Sequence, residues 1–345
     1  MTLEWADGFR YGGVGKYEDV GNPFGSTNFQ AGRGSDNGLD DYGLTVGHFG
    51  AAWAGKIVSA TPAKVAGIRG HFSFSQTVRL FEFRDAAVCH VYVEVDYATF
   101  VVTVKRGDGT VLGTSAPVTS MTGEEFYLEA KVVVSDAAGS VEVRYYGTPV
   151  LSVSGVDTRN GGTATIDRVR AGSIAGTETV GFDDFYIDTQ DFHAVASVGA
   201  VPGKTPRVID LDNVAAGDLT AWAATGAGGV NWDAVSDDAT SDGDTSYVAS
   251  SVVGNKDLYQ LTNLPAGVSN ILAVVQWGIA RKDDATGRQY ALTVRSGATD
   301  SDSGAKNLTN SYAPSYRVLE VDPDTGAAWT AAAVNALQAG VKVVA

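Results

Sequence analysis

Apolar and polar residues alternate with a period of two over much of the chain, most clearly from Phe126 to Val143. Phe126, Leu128, Ala130, Val132 and Val134 fall on one side of an extended segment, and Tyr127, Glu129 and Lys131 fall on the other, as in a half-buried antiparallel strand. Val141, Val143 and Tyr145 repeat the pattern against Glu142 and Arg144 after the turn-forming Ser135-Asp136-Ala137-Ala138-Gly139. The stretch therefore predicts a β-hairpin whose Tyr127, Glu129 and Lys131 side faces solvent.

The same criterion predicts strands over Gly67 to Phe74, Val78 to Phe83, Val88 to Asp96, Phe100 to Lys105, Thr110 to Thr114, Val150 to Val153, Thr165 to Arg170 and Val180 to Ile187. Arg106-Gly107-Asp108-Gly109 reads as a hairpin connection, which also explains its Arg-Gly-Asp tripeptide. Consecutive short strands without a helical period favour a two-sheet sandwich or jelly roll. Gly and Pro residues between His193 and Arg207 break the pattern and predict a linker, giving domains over 1–192 and 208–345. Beyond it, strands are expected over Val208 to Leu211, Asn231 to Val235, Asp257 to Leu261, Asn270 to Arg281, Tyr290 to Arg295 and Arg317 to Val321. Thr330 is placed to cap one short helix over Ala331 to Ala339, stopped by Gly340, before a last strand from Val341 to Val344. The fold class is all-β: an N-terminal sandwich and a C-terminal sandwich-like domain with one short helix.

The 345 residues suffice for about two domains, and 42 glycines suit many tight turns. A net charge of −15 with no Lys/Arg cluster argues against nucleic acid and anionic membranes as partners. No apolar run spans a bilayer, and Met1 to Asp7 lacks the basic and apolar regions of a signal peptide, so neither membrane insertion nor export by that route is expected. Cys89 is the single cysteine and excludes an intramolecular disulfide. It falls beside Val91, Val93 and Val95, as a small buried hydrophobe does.

Trp5-Ala6-Asp7-Gly8-Phe9, Phe126-Tyr127-Leu128-Glu129, Ser135 to Val143, Gly155-Val156-Asp157-Thr158 and Phe182-Asp183-Asp184-Phe185-Tyr186-Ile187 resemble concanavalin A-like, laminin G-type jelly rolls of tailed-bacteriophage structural proteins. Asp244 to Val248, Lys256 to Tyr259 and Asp322 to Thr330 are similar to C-terminal regions of phage virion proteins. The resemblance implies a non-enzymatic virion component of the tail, tail tip or fibre, or head surface, assembled in the host cytoplasm. Its expected partners are other virion proteins and further copies of itself in a trimer or ring. A carbohydrate-binding module that recognises a host surface glycan is the alternative, and a polysaccharide depolymerase the third reading.

The chemistry visible in the sequence is sparse. Glu94-Val95-Asp96-Tyr97-Ala98-Thr99 begins the Glu-x-Asp-x-x-Glu pattern of concanavalin A-like glucanases, but Thr99 supplies neither carboxylate that retaining hydrolysis needs. His90, Tyr92, Glu94 and Asp96 then read as a solvated sheet face. Asp237, Asp238, Asp242 and Asp244 are dense enough in oxygen ligands for a structural calcium ion, yet they lack the acid at the twelfth loop position. Asp183 and Asp184 point to opposite faces of a strand, and His48, His71, His90 and His193 lack metal-ligand spacing. No other cofactor is implied. Trp277 alternates with Ile271, Ala273, Val275 and Ile279 and reads as core, whereas Trp53 and Trp232 lie in glycine-rich surroundings and are candidates for an interface.

Overall fold

The computed structural model describes residues 3–7, 19–21, 29–32, 43–46, 52–72, 77–118, 126–174, 180–194, 205–237, 241–268 and 270–345. They fall into two compact units, Thr2–Val208 and Ile209–Ala345. The residues 195–204 of the expected linker lie outside the described ones.

In the first unit the strands are β1 (Leu3–Asp7), β2 (Asp19–Gly21), β3 (Phe29–Gly32), β4 (Gly43–Val46), β5 (Ala52–Thr61), β6 (Ala63–Phe72), β7 (Thr77–Asp85), β8 (Val88–Asp96), β9 (Val101–Arg106), β10 (Val111–Thr114), β11 (Phe126–Val133), β12 (Gly139–Tyr145), β13 (Thr148–Val156), β14 (Ile166–Ser173) and β15 (Val180–Asp188). They form two antiparallel sheets. Sheet A has the order β13-β12-β11-β6-β15-β4-β3 with β1 also on β15, and sheet B the order β10-β9-β8-β7-β14-β5-β2. Ile68, Leu128, Val132, Val141 and Phe185 of sheet A and Leu80, Phe83, Val91, Val93, Val104 and Val169 of sheet B are fully buried. Each such side chain contributes about 1.5–3 kcal/mol on burial. The sheets meet where Gly113 of β10 lies against Leu151 and Val153 of β13.

The expected hairpin is present, with Leu128 opposite Tyr145 and Val132 opposite Val141. Its second face departs from expectation, because Tyr127 and Glu129 are as buried as Leu128. The chain beyond β15 returns over this side of sheet A. Glu129 Oε1 accepts the amides of His193 at 2.7 Å and Ala194 at 2.9 Å, and the Tyr186 hydroxyl also donates to it. Val65, Tyr127, Tyr186 and Ala194 form a cluster here, with Phe192 packed against it. Further along, Asp184 Oδ1 accepts the Val208 amide at 2.7 Å, and Arg69 joins Asp184 to Thr205. Asp184 sits at a register shift between β15 and β6 with φ of 52°, a bulge that points its carboxylate at the returning chain. Sequence alternation cannot show that a polar face is roofed by a distant segment.

The second unit contains β16 (Asn213–Thr220), β17 (Ala223–Thr225), β18 (Tyr247–Ala249), β19 (Lys256–Leu261), β20 (Val274–Ala280), β21 (Gln289–Ser296), β22 (Thr299–Asp302), β23 (Lys306–Asn307), β24 (Ala313–Leu319), α1 (Ala331–Asn335) and β25 (Gln338–Val343). The main sheet runs β16-β19-β25-β21-β22 with β23 on β21, and β17-β18 and β20-β24 are two-stranded ribbons. Val294, Leu319, Trp329, Val334 and Leu337 make the core. Thr330 caps α1 as expected, its side chain accepting from the Ala333 amide.

Four expectations here are corrected. Residues 205–212 are irregular in place of a strand over Val208 to Leu211, and Asp233–Val235 is a 3-10 turn. The helix ends at Asn335, and Gly340 lies inside β25, where an added Cβ would stand 1.8 Å from the Asp257 carbonyl oxygen. Gly340 thus permits close strand approach and does not stop a helix. Trp277 is on the outer side of the β20-β24 ribbon, facing Tyr316 at 5.1 Å with Ile279 42% exposed, whereas Gln276 points inward to donate to the carbonyls of Thr293 and Gly340. An inward glutamine can be stabilised by backbone acceptors, which apolar periodicity does not register.

Candidate functional site, a cationic face on sheet B

Sheet B buries its apolar side and carries a grid of charged and aromatic groups on the other. One cross-strand row runs Arg170, Glu82, Tyr92, Lys105 over β14, β7, β8 and β9. A second places Arg79 opposite Glu94 and Thr103, and a third Arg168 opposite Arg84 and Cys89. Residues directly opposite in an antiparallel ladder share a face, so these side chains adjoin one another.

Two register shifts build the grid. By strict alternation Arg79 and Arg84, five residues apart, would point to opposite faces; a bulge between Arg79 and Phe81 brings both to the side of Glu82. A second, between Phe83 and Arg84, sets Cys89 opposite Arg84. Cys89 therefore leaves the side of Val91, Val93 and Val95 on which it was expected, and burial pushes its thiol up to about 12.

Glu82, 3% exposed, is the hub. Its Oε1 accepts from Arg79 Nη1 at 2.9 Å, and its Oε2 accepts from Arg84 Nη1 at 2.6 Å and Arg170 Nη1 at 3.3 Å. The Arg79 guanidinium lies 3.6 Å over the Tyr92 ring and that of Arg170 lies 4.5 Å over Trp53. Glu94 pairs with Lys105 at 2.7 Å; hydrogen bonding to Glu94 holds the Lys105 ammonium above its usual range. Among the described residues, Arg79, Glu82, Tyr92, Glu94 and Lys105 find polar or cation–π partners within the sheet itself.

The residues singled out in sequence are distributed as follows. Trp53 belongs to the grid, as the seat of Arg170. Trp232 is half-buried before the 3-10 turn Asp233–Val235 of the other unit. Thr99 donates its amide and hydroxyl to Asp96 at 2.9 and 2.8 Å, closing the β8-β9 turn, and these bonds lower the Asp96 carboxyl. In the acidic loop, Asp237 accepts the Asp242 amide, Asp242 accepts from Ser246, and Asp244 accepts from Arg281 and Tyr312. Asp238 lies outside the described residues, as does His48. Among the described residues no three His, Cys, Asp or Glu side chains are grouped to hold a metal ion. His90 is buried with Nδ1 accepting the Asn160 amide, and His193 Nε2 pairs with Asp188 at 3.0 Å. The side chains of His71 and Asp183 are outside the described set. Sequence reasoning missed Arg79, Glu82, Arg84, Arg170 and Lys105. The available signal was Arg79-Leu80-Phe81-Glu82-Phe83-Arg84, three charges within one apolar strand.

No family model matches the chain, and no curated protein matches it. Among solved structures it is similar to a cellulose-induced protein, Cip1, at 18% identity over 53% of this chain and 96% of that one, with a TM-score of 0.40. It is also similar to the metal-free lectin I-B4 from Griffonia simplicifolia, at 10% identity over 49% and 97% with a TM-score of 0.32. Alginate lyase AlgAT5 of polysaccharide lyase family 7 gives 12% identity over 54% and 91% with a TM-score of 0.31. Among the described residues no helix is long and apolar enough to cross a membrane.

Proposed function

We propose that this chain is a non-enzymatic glycan-binding β-sandwich protein displayed on a larger particle, with the outer face of sheet B as its binding surface. One observation carries the reading: a hub of Glu82, Arg79, Arg84 and Arg170 is assembled by a bulge on the outer face of sheet B. A sheet face with fixed polar groups matches a ligand that is itself flat and rich in hydroxyls. Catalysis of glycoside hydrolysis is not favoured by the same geometry, because the carboxylates of Glu82 and Glu94 are engaged by cations. Neither is free to attack a sugar or to protonate a leaving group. The sequence resemblance supplies the particle, a tailed-phage virion.

The test is a glycan array probed with the intact chain, followed by turnover assays on each polysaccharide bound. Binding without turnover is expected; turnover would make the protein an enzyme, and silence on the array would remove the reading.

Assembly with other subunits is a second reading favoured by a different feature. The outer side of the β20-β24 ribbon presents Val275, Trp277, Ile279, Pro314, Tyr316 and Val318, an apolar strip of the kind found in subunit contacts. Light scattering that finds more than one copy per particle, and only one for Trp277→Ser, would support it.

A further inference from the structure

The loop between β13 and β14 is fixed at one end to sheet A and at the other to sheet B. On sheet A the fully buried Thr158 donates its amide to the Ser135 carbonyl at 3.0 Å and its hydroxyl to that of Val133 at 2.8 Å, and accepts the Ser135 amide at 2.9 Å. On sheet B the Asn160 amide donates to His90 Nδ1 at 3.2 Å, and the Asn160 side chain donates to the Cys89 carbonyl at 3.1 Å. Thr163 donates its amide to Asp85 at 3.1 Å, and its hydroxyl donates there too. Gly161 and Gly162, at φ of 77° and 64°, carry the chain between these contacts in a conformation that glycine adopts without strain.

The His90 ring is fully buried at this contact. Because Nδ1 accepts from an amide, the ring proton sits on Nε2, which has no hydrogen-bond partner among the described residues. A second proton would occupy Nδ1 and face the Asn160 N–H. It would replace a hydrogen bond by two opposed donors and leave a charge buried. The contact and the imidazolium are therefore mutually exclusive. We propose that His90 is an acid-sensitive latch, whose protonation releases residues 160–163 from sheet B while Thr158 keeps the start of the loop on sheet A. The latch does not depend on what the outer face of sheet B binds.

The groups around the ring set the sign. Asp85 and the backbone of Thr163 and Thr165 favour the imidazolium and Arg159 opposes it; burial outweighs the attraction and holds the ring below its usual range. Asp85 is already occupied by Thr163, and Arg159 by Asp136 at 3.0 Å and the Gly162 carbonyl at 3.1 Å. Arg84 on β7 is paired with Glu82, and Asp167 on β14 accepts the Ala86 amide. At the β9-β10 turn, which reaches the His90 carbonyl through the Gly107 amide, Arg106 is paired with Asp108 and Asp157. A ring freed to solvent takes its proton near pH 6.5, and the closed one only at lower pH. Closure is thus fully favoured above that pH, and below it the open population rises by up to about tenfold per pH unit until the closed ring also titrates. One end of the sandwich loosens in mild acid with Thr158 still in place.

The experiment is hydrogen exchange of the intact chain read by NMR between pH 7.5 and pH 5, corrected for the intrinsic pH dependence of exchange. We expect protection of the Asn160 amide to fall by at least about tenfold over this range, with its onset near pH 6.5. The Ser135 amide, held by Thr158, should keep its protection. His90→Gln offers the Asn160 amide a neutral carbonyl acceptor, and its Asn160 should stay protected down to pH 5. Unchanged Asn160 protection in the native chain at pH 5 would overturn the latch. So would an equal loss in His90→Gln, which would assign the transition to another group. Loss at Ser135 in step with Asn160 would replace local release by unfolding of the whole end, and overturn it too. Should His90→Gln fail to fold, the onset in the native chain decides: near pH 6.5 it supports a histidine latch, whereas near pH 4 it would assign a carboxylate such as Asp85 and overturn it.

Discussion

Arg79 is held from two directions, its guanidinium 3.6 Å over the Tyr92 ring and its Nη1 2.9 Å from Glu82. The ring fixes the plane and the carboxylate fixes the heading, so the side chain arrives at the sheet surface already oriented. Preorganisation of this kind reduces the entropy lost when a ligand is bound.

Glu82→Gln is predicted to be strongly destabilising although it preserves shape. The substitution leaves Arg79, Arg84 and Arg170 without the anion they share, and removing one partner from a buried charge cluster costs about 3–5 kcal/mol. Urea unfolding should show a lower midpoint with an unchanged slope. An unchanged midpoint would mean that the hub is solvated.

Gly67→Ala should damage the roofed face of sheet A. A Cβ at this position would lie 2.1 Å from the Tyr186 ring, which rests on the bare backbone there and directs its hydroxyl to Glu129. Overpacking of this severity costs about 1–3 kcal/mol. Near-ultraviolet circular dichroism is expected to lose tyrosine signal as the ring moves; a native spectrum and melting temperature would contradict the contact.

These two sites mark what could be read in the sequence. Alternation located β7, β8, β11 and β12, and the hydroxyl of Thr330 located the start of α1, because each depends on neighbours in sequence. The grid on sheet B depends on an inserted residue between Arg79 and Phe81, which reverses the facing of everything before it. Alternation on β8 places Tyr92 and Glu94 on one face but makes that face solvated, whereas His90 and Tyr92 are buried, Tyr92 beneath the Arg79 guanidinium, and alternation does not show the arginine partners on β7 and β14. Glu129 was read as solvated because the residues that roof it, His193 and Ala194, lie more than sixty positions away. Trp277 was read as core because apolar alternation does not say which side of a ribbon faces inward.

Cys89 should resist alkylation in the folded protein at pH 8. Its thiol is pushed up to about 12 by burial, and the thiolate is the reactive form. Iodoacetamide labelling followed by mass spectrometry should find it unmodified without denaturant and fully modified with it. Rapid labelling of the native chain would contradict its placement.

In the second unit, hydrogen bonding to Arg295, reinforced by Lys256, lowers the Asp300 carboxyl to about 2. Its folded value lies below the unfolded value of 3.8, so the stability it contributes is present above about pH 4 and is lost as pH falls toward 2. Asp300→Asn should therefore narrow the drop in thermal midpoint between pH 5 and pH 2.5. The same drop in both proteins would show that the carboxylate contributes nothing.

The most direct test of sheet B as the binding surface is a paired titration with whichever polysaccharide the intact chain binds, comparing Arg170→Met on the outer face of sheet B with Lys131→Met on the roofed face of sheet A, where Lys131 donates to the Gln190 carbonyl. At least a tenfold loss of affinity is predicted for Arg170→Met and native affinity for Lys131→Met. Native affinity in Arg170→Met, or a loss confined to Lys131→Met, would contradict the assignment.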